Sequence, residues 1–329
     1  MKRRVIKQGH NTLTITLPSK WVQRYGIQPG SEIDVSEQEK SLLVSTDGGS
    51  NVSRTTIDIS NLNKSIAIWR FISSAYRAGY DEIMITGIEP GHKKLYTPFT
   101  YNTLNYMKSE SDIEVMSPIE TISACVNRLV GVDIIEQKGN YCLVKDLSET
   151  SYKEFDIALR RIFLLLKTES ENIANGLDGN KEDLKAIHII DTNLDRFEDF
   201  CLRVLNKKGY EIYRKTPTIY SSILILEMVG DEFKKIARHI LDMEEKHSKA
   251  IKTLFKVQND QLDRIYKLFY KFNKNLAQEI YEEDEKGTKL IKELFNELKT
   301  DEAKELVHHF KKVGIYILSL TELRIDLEL

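Results

Sequence analysis

The sequence predicts a multidomain α+β protein: a small β-rich domain over 1–49, a small α/β domain over 50–149 and an all-α helical bundle over 150–329. Three observations predict it. Apolar residues alternate with period two in several short runs before residue 150, whereas from Ser151 onward they recur about every 3.5 residues. A polar, glycine-bearing stretch from Asp47 to Arg54 separates the first runs from the rest. The whole chain has 329 residues with 16 Gly and 6 Pro, enough for two or three domains and too few turn residues for an all-β fold.

Taken in order, the chain begins with a short β-like run from Val5, a turn signal at Gly9-His10-Asn11 and an alternating run from Thr12 to Leu17. This reads as a hairpin. Ser19 is expected to cap a short helix through Trp21, Val22 and Tyr25, ended by Gly26; Pro29-Gly30 then turns the chain into strands at Glu32–Val35 and Ser41–Ser45. So small a unit buries little surface alone, and an intertwined dimer follows as the physically sensible form.

The middle region alternates in type. Strands are expected at Thr56–Ile59, Glu82–Thr86, Ile113–Met116, Val132–Glu136 and Tyr141–Val144, and helices over Asn63–Arg77, near Thr97–Lys108 and over Ile119–Arg128. That order makes a small α/β domain. Gly87–Gly91 followed by His92-Lys93-Lys94 lacks the spacing of a phosphate loop and reads as a surface turn.

Beyond Ser151, one stripe runs through Phe155, Leu159, Ile162, Leu166 and Ile173, with Glu169 inside it. A helix at about 181–208 buries Ile190, Leu194, Phe197, Cys201 and Val204, and one at about 217–247 buries Ile223, Leu226, Gly230, Phe233, Ala237 and Ile240. Three such stripes make a bundle.

Charge bounds the function. Lys+Arg number 48 and Asp+Glu 50, a net charge of −2, so any binding of a polyanion depends on local asymmetry. Residues 1–24 supply it, with Lys2, Arg3, Arg4, Lys7, Lys20 and Arg24 and no carboxylate before Glu32. In the bundle, Asp191 and Asp195 lie four apart beside the core stripe with Glu198, and Glu227 and Asp231 repeat that spacing next to Gly230. Like charges at i, i+4 repel mildly and a helical Gly costs up to about 1 kcal/mol. A hard cation between two such pairs would account for them, while spacing alone fits acids that simply face water. No nucleophile–base arrangement accompanies these acids, so an enzyme is not expected. Cys125, Cys142 and Cys201 lack metal or disulfide spacing and suit a reducing cytoplasm; apolar runs such as Ile315–Leu320 are too short to span a membrane.

The segment from Val5 to Trp21, with Leu17-Pro18 before the short helix and Gly26-Ile27-Gln28-Pro29-Gly30 after it, resembles the SpoVT/AbrB/MazE family of swapped-hairpin DNA-binding domains over residues 1–46. The resemblance implies a homodimer of interlocked hairpins whose basic side chains face DNA. By position these are Arg3, Arg4, Lys7, His10, Asn11, Lys20 and Arg24. Phosphate contacts of that kind give salt-dependent affinity. Where many bacterial members place an arginine in the hairpin loop, this sequence has His10-Asn11. Members with toxin-binding roles share the fold.

Asp191-Thr192-Asn193-Leu194-Asp195 and Glu227-Met228-Val229-Gly230-Asp231 resemble the paired acidic motifs of one three-helix repeat in the PhoU family of phosphate-uptake regulators. This implies a divalent or iron-type metal cluster on Asp191, Asp195, Glu227 and Asp231, with Glu169 as a further acid. It also implies a second repeat, in helices near 250–284, 285–298 and 301–325 with Gly314 standing in for Gly230. There Lys311 and Ile315 replace the acids, so a structural repeat without metal is expected, and the run Tyr281–Glu285 reads as a solvated helix end. The three modules in this order resemble the archaeal PhoU-like regulators. The implied function is DNA-binding regulation of phosphate uptake; the alternative is an adaptor holding a phosphate transporter ATPase or a signalling kinase, with the first domain used to dimerise.

Overall fold

A computed structural model describes residues 2–38, 41–46, 52–88, 95–97, 114–148, 152–242, 249–298 and 300–329. The chain divides into two compact units, Met1–Ser53 and Arg54–Leu329.

The first unit holds a hairpin of β1 (Ile6–Gln8) and β2 (Thr12–Thr14), a short helix α1 (Ser19–Arg24) and a second antiparallel pair, β3 (Asp34–Gln38) with β4 (Ser41–Ser45). Gly9 has φ 73°, the left-handed conformation that the turn between Gln8 and Thr12 demands and that glycine adopts without strain. The expected Ser19 cap is corrected: Pro18 stands at the N-cap with φ −65°, and its carbonyl accepts from Trp21 N and Val22 N, each at 2.9 Å. Ser19 is thereby the first helical residue, and no side chain caps the helix. Among the described residues of this unit none is buried. Ile6, Leu13 and Ile15 are 53%, 70% and 50% exposed, so the alternating hairpin presents apolar side chains that this unit by itself does not cover.

The second unit begins with a four-stranded sheet in the order β5-β6-β10-β9. β5 (Arg54–Asp58) runs parallel to β6 (Glu82–Thr86) through the crossover helix α2 (Ser65–Arg77). β9 (Val132–Lys138) and β10 (Tyr141–Asp146) complete it as an antiparallel hairpin, and a short pair, β7 (Leu95–Thr97) with β8 (Glu114–Met116), lies beside it in sequence. Helix α3 (Pro118–Val126) starts with a capping box between Ser117 and Glu120. Ile68, Ile72, Tyr76, Ile83, Ile85, Ile122, Cys125 and Cys142 form the core. The helix expected near Thr97–Lys108 lies outside the described residues except at Thr97, which ends β7. Residues 47–51 and 89–94, read as linker and surface turn, also lie outside them.

Six helices follow: α4 (Tyr152–Leu177), α5 (Ile187–Lys208), α6 (Thr216–Asp242), α7 (Lys249–Tyr270), α8 (Lys274–Glu297) and α9 (Asp301–Asp326). α4, α5 and α6 pack mutually, as do α7, α8 and α9, and α6 against α9 joins the two sets. One apolar core runs through both. The helix expected over 250–284 is instead broken at Asn273, whose side chain accepts from Asn275 N and Leu276 N and caps α8. The acids of Tyr281–Glu285 therefore lie mid-helix and not at a helix end. All three cysteines are buried with free thiols. Among the described residues no helix is long and apolar enough to cross a membrane.

The α/β region is locked to the bundle through α5. Arg203, 1% exposed, donates to the carbonyls of Tyr76 (2.6 Å) and Tyr80 (2.9 Å) and to Asp146 Oδ2 (2.7 Å), and its guanidinium lies 4.7 Å from the Tyr76 ring centroid. Lys207 Nζ adds bonds to Asp81 (2.6 Å) and Asp146 (3.0 Å), and Asn206 donates to the Arg77 carbonyl at 2.7 Å.

Candidate functional site

Two places answer to the residues brought forward by the sequence. In the first unit, Arg3, Arg4, Lys7, His10, Asn11, Lys20 and Arg24 are all exposed. Arg3 and Arg4 precede β1, Lys7 sits within it opposite Leu13, and His10-Asn11 form the turn. Lys20 and Arg24 stand four apart on α1 and so share one face. No carboxylate lies among them in sequence, so their charge is available to a polyanion.

The second place lies where α4, α5 and α6 meet. Glu169 of α4 is fully buried, and neither of its carboxylate oxygens has a hydrogen-bond partner. Burial pushes its pKa well above the usual carboxylate range, and Asp191 adds to the effect. Gly230 lies beside it and makes room for Leu194: a Cβ there would stand 2.9 Å from Leu194 Cδ1, while Glu169 Oε2 would lie in ordinary contact at 3.5 Å. The glycine therefore has a packing role that outweighs its helix propensity.

Around Glu169 the acids crowd. Burial, reinforced by Asp195, raises Asp191 to about 7, and burial with Asp231 raises Glu227 to about 8. On the same face of α5, burial and Asp199 raise Glu198 to about 9, while burial raises Asp199 to about 7 against the pull of Arg77. Five acids set apart by spacing, Asp191, Asp195, Glu198, Glu227 and Asp231, are thus within electrostatic reach of one another.

The cations here went unnoticed in the sequence. Lys234 Nζ donates to both Asp191 Oδ2 and Asp231 Oδ1 at 2.8 Å. Burial opposes its charge, but Asp191 and Asp231 hold its pKa above the ordinary lysine value. Arg128, in the loop after α3, donates Nη2 to Asp195 Oδ2 at 2.7 Å, and Arg77 at the end of α2 lies 3.3 Å from Asp199 and 4.0 Å from Glu198. Lys234 was open to discovery, three residues beyond Asp231 on one helix face. The arginines were not, since their partners belong to another part of the chain.

As placed, these residues do not fit a metal. An ammonium group bridges the two motifs, and among the described residues no group of three or more His, Cys, Asp or Glu side chains is arranged to hold a metal ion.

Gly314 of α9, expected to stand in for Gly230, has Asp284 Oδ1 3.5 Å from where a Cβ would lie. Gln258 of α7, also near Gly314, donates to the carbonyl of Phe310. Gly314 thus has both a carboxylate and an amide near it, where Gly230 has the Glu169 carboxylate.

A further buried carboxylate, Glu232, links α6 to α9. It is held by Lys235 at 2.8 Å, by His309 Nδ1 and by Lys312 at 3.6 Å. Burial would raise its pKa, but the bonds from His309 and Lys235 hold it down at about 2. Sequence reasoning missed this group.

Residues 6–48 match the family model described as antidote-toxin recognition MazE, bacterial antitoxin. The first unit is thus a small MazE/AbrB-like β domain. Among solved structures, the phosphate transport system regulatory protein PhoU from Streptococcus pneumoniae is similar at 19% identity and a TM-score of 0.43, over 54% of this chain and 94% of that one. No curated protein matches the chain.

Proposed function

We propose that this protein is a DNA-binding regulator of phosphate uptake, acting in the cytoplasm as a homodimer through its first unit and without catalytic activity of its own. The observation that carries the DNA-binding part is an exposed basic surface on a domain of MazE type: seven candidate DNA-facing side chains, none of them buried. A second copy supports the reading from another side, since Ile6, Leu13 and Ile15 have no core to enter within one unit. The phosphate part rests on the acidic motifs of α5 and α6 and their resemblance to those of phosphate-uptake regulators.

Titration of a labelled DNA duplex with the intact protein tests the DNA-binding part. Affinity is expected to fall steeply between 50 and 300 mM salt, by about one unit of log-log slope for each phosphate contacted. The Lys7→Ala/Lys20→Ala/Arg24→Ala variant, folded by circular dichroism, is expected to bind more weakly and with a slope shallower by up to about three. Absence of binding by the intact protein at 50 mM salt would overturn this reading in favour of a second one, an adaptor that engages a phosphate transporter ATPase or a signalling kinase. That reading is favoured by one observation, the toxin-recognition role that the matching family's description carries.

A further inference from the structure

We propose that Lys234, with Arg128, is the resident counter-cation of the carboxylate cluster, occupying the position that a divalent metal would take between α5 and α6. The geometry is specific. Lys234 Nζ lies 2.8 Å from an oxygen of Asp191 and 2.8 Å from an oxygen of Asp231, one acid from each motif. An ammonium donates three hydrogens and carries one charge at its centre, so it satisfies two carboxylates in the manner of a small cation. Arg128 closes the other end by engaging Asp195 at 2.7 Å.

The arrangement also gives the α/β region a role. Arg128 belongs to the loop between α3 and β9, and its guanidinium lies 5.1 Å from the Trp69 ring centroid of α2. The cation at Asp195 is therefore aimed by the α/β core and not by the bundle. Arg203, Asn206 and Lys207 of α5 tie that core to the bundle. In this account the α/β region is the part that neutralises the bundle's acids from outside, while Lys234 does so from within.

A cation bound through side chains of the chain itself excludes a second one by charge and by space. Removing Lys234 frees Asp191 and Asp231 from the ammonium that holds both. Not arranged around an ion as they stand, they and the neighbouring Glu169, Asp195 and Glu227 supply hard oxygen donors that side-chain rearrangement can bring onto a divalent ion. The inference is independent of whether the first unit binds DNA.

Equilibrium dialysis of the intact, chelator-treated protein against Mn²⁺ tests it, with helicity followed by circular dichroism. The wild-type chain is expected to show no saturable Mn²⁺ site in the micromolar range. Lys234→Ala is expected to gain one, tighter on the order of a hundredfold or more, because a unit charge a few ångströms from the site has been removed. That gain is expected to vanish in Lys234→Ala/Asp191→Asn/Asp231→Asn. Lys234→Gln, which removes the charge and keeps a donor, is read in the same way should the alanine variant lose helicity. Adding Arg128→Gln to Lys234→Ala is expected to tighten Mn²⁺ further; no change would remove the α/β region from the proposal. A saturable Mn²⁺ site in the wild-type chain that Asp231→Asn abolishes would overturn it, as would a folded Lys234→Ala protein that gains nothing.

Discussion

Arg203→Met is expected to destabilise the chain by about 3–5 kcal/mol in urea-induced unfolding, the range found when one partner of a buried ion pair is removed. Arg203 is buried to within 1% and answers three acceptors at once, one main-chain carbonyl in the last turn of α2, one between α2 and β6, and the carboxylate of Asp146 at the end of β10. Methionine fills similar space but leaves the Tyr76 and Tyr80 carbonyls without this donor. Asp146 would keep Lys207, at 3.0 Å, as a cationic partner. Burial alone would raise the Asp146 pKa, and it is the bonds from Arg203 and Lys207 that bring it below the ordinary value. The double variant Arg203→Met/Asp146→Asn is accordingly expected to recover part of the loss, because the carboxylate left with one cation in place of two is gone. A loss under about 1 kcal/mol in the single variant would show that α5 and the α/β region are joined by apolar contact and not by this residue.

Thermal stability of the helices is expected to be higher near pH 5.5 than near pH 8.5, with Tm lower on the order of 10 °C at the higher pH. Carboxyls in an unfolded chain titrate near pH 4. In the folded chain Asp191 and Asp199 hold their protons to about 7, Glu227 to about 8 and Glu198 to about 9, in each case chiefly through burial. Between pH 4 and those values the folded state binds protons that the unfolded state has released, so stability is lost as pH rises through the window. Glu232 acts in the opposite sense. Held at about 2 by His309 and Lys235 against the effect of burial, it stabilises above its ordinary value and loses that contribution as pH falls toward 2. His239, which burial and His309 hold below the usual imidazole range, likewise favours the folded state less as pH falls. The optimum therefore lies on the mildly acidic side of neutrality. Glu198→Gln/Glu227→Gln, whose amides do not ionise, is expected to flatten the decline. A Tm that rises from pH 5.5 to 8.5 would contradict the burial of these acids.

The elements that local pattern controls were legible. The hairpin was announced by Gly9-His10-Asn11 between two alternating runs, and the stripes of α4, α5 and α6 are those of the observed core. The break between α7 and α8 was not, because Ile265, Leu268, Phe272, Leu276 and Ile280 keep helical spacing straight across it and only the side-chain bonds of Asn273 end one helix and start the next. The cap at Pro18 was misread for a related reason: Ser19 has the side chain of a cap, but the proline's fixed φ sets the boundary one residue earlier.

At the cluster, spacing brought forward Asp191, Asp195, Glu227 and Asp231 and stopped short of what neutralises them. The expected cation was a metal ion; the cation the structure places between the motifs is the side chain of Lys234, only three residues from Asp231. Arg128 had no local signal, since it reaches an acid 67 residues away in the chain. Charge compensation across two regions is a tertiary fact, visible only once α5 is packed against α2.

Genome-wide occupancy of the intact protein in phosphate-rich and phosphate-starved cells tests the central claim most directly. A DNA-binding regulator of phosphate uptake is expected to occupy discrete sites near phosphate-uptake genes and to change its occupancy there between the two conditions. Occupancy that is absent, or that is the same in both, would contradict it.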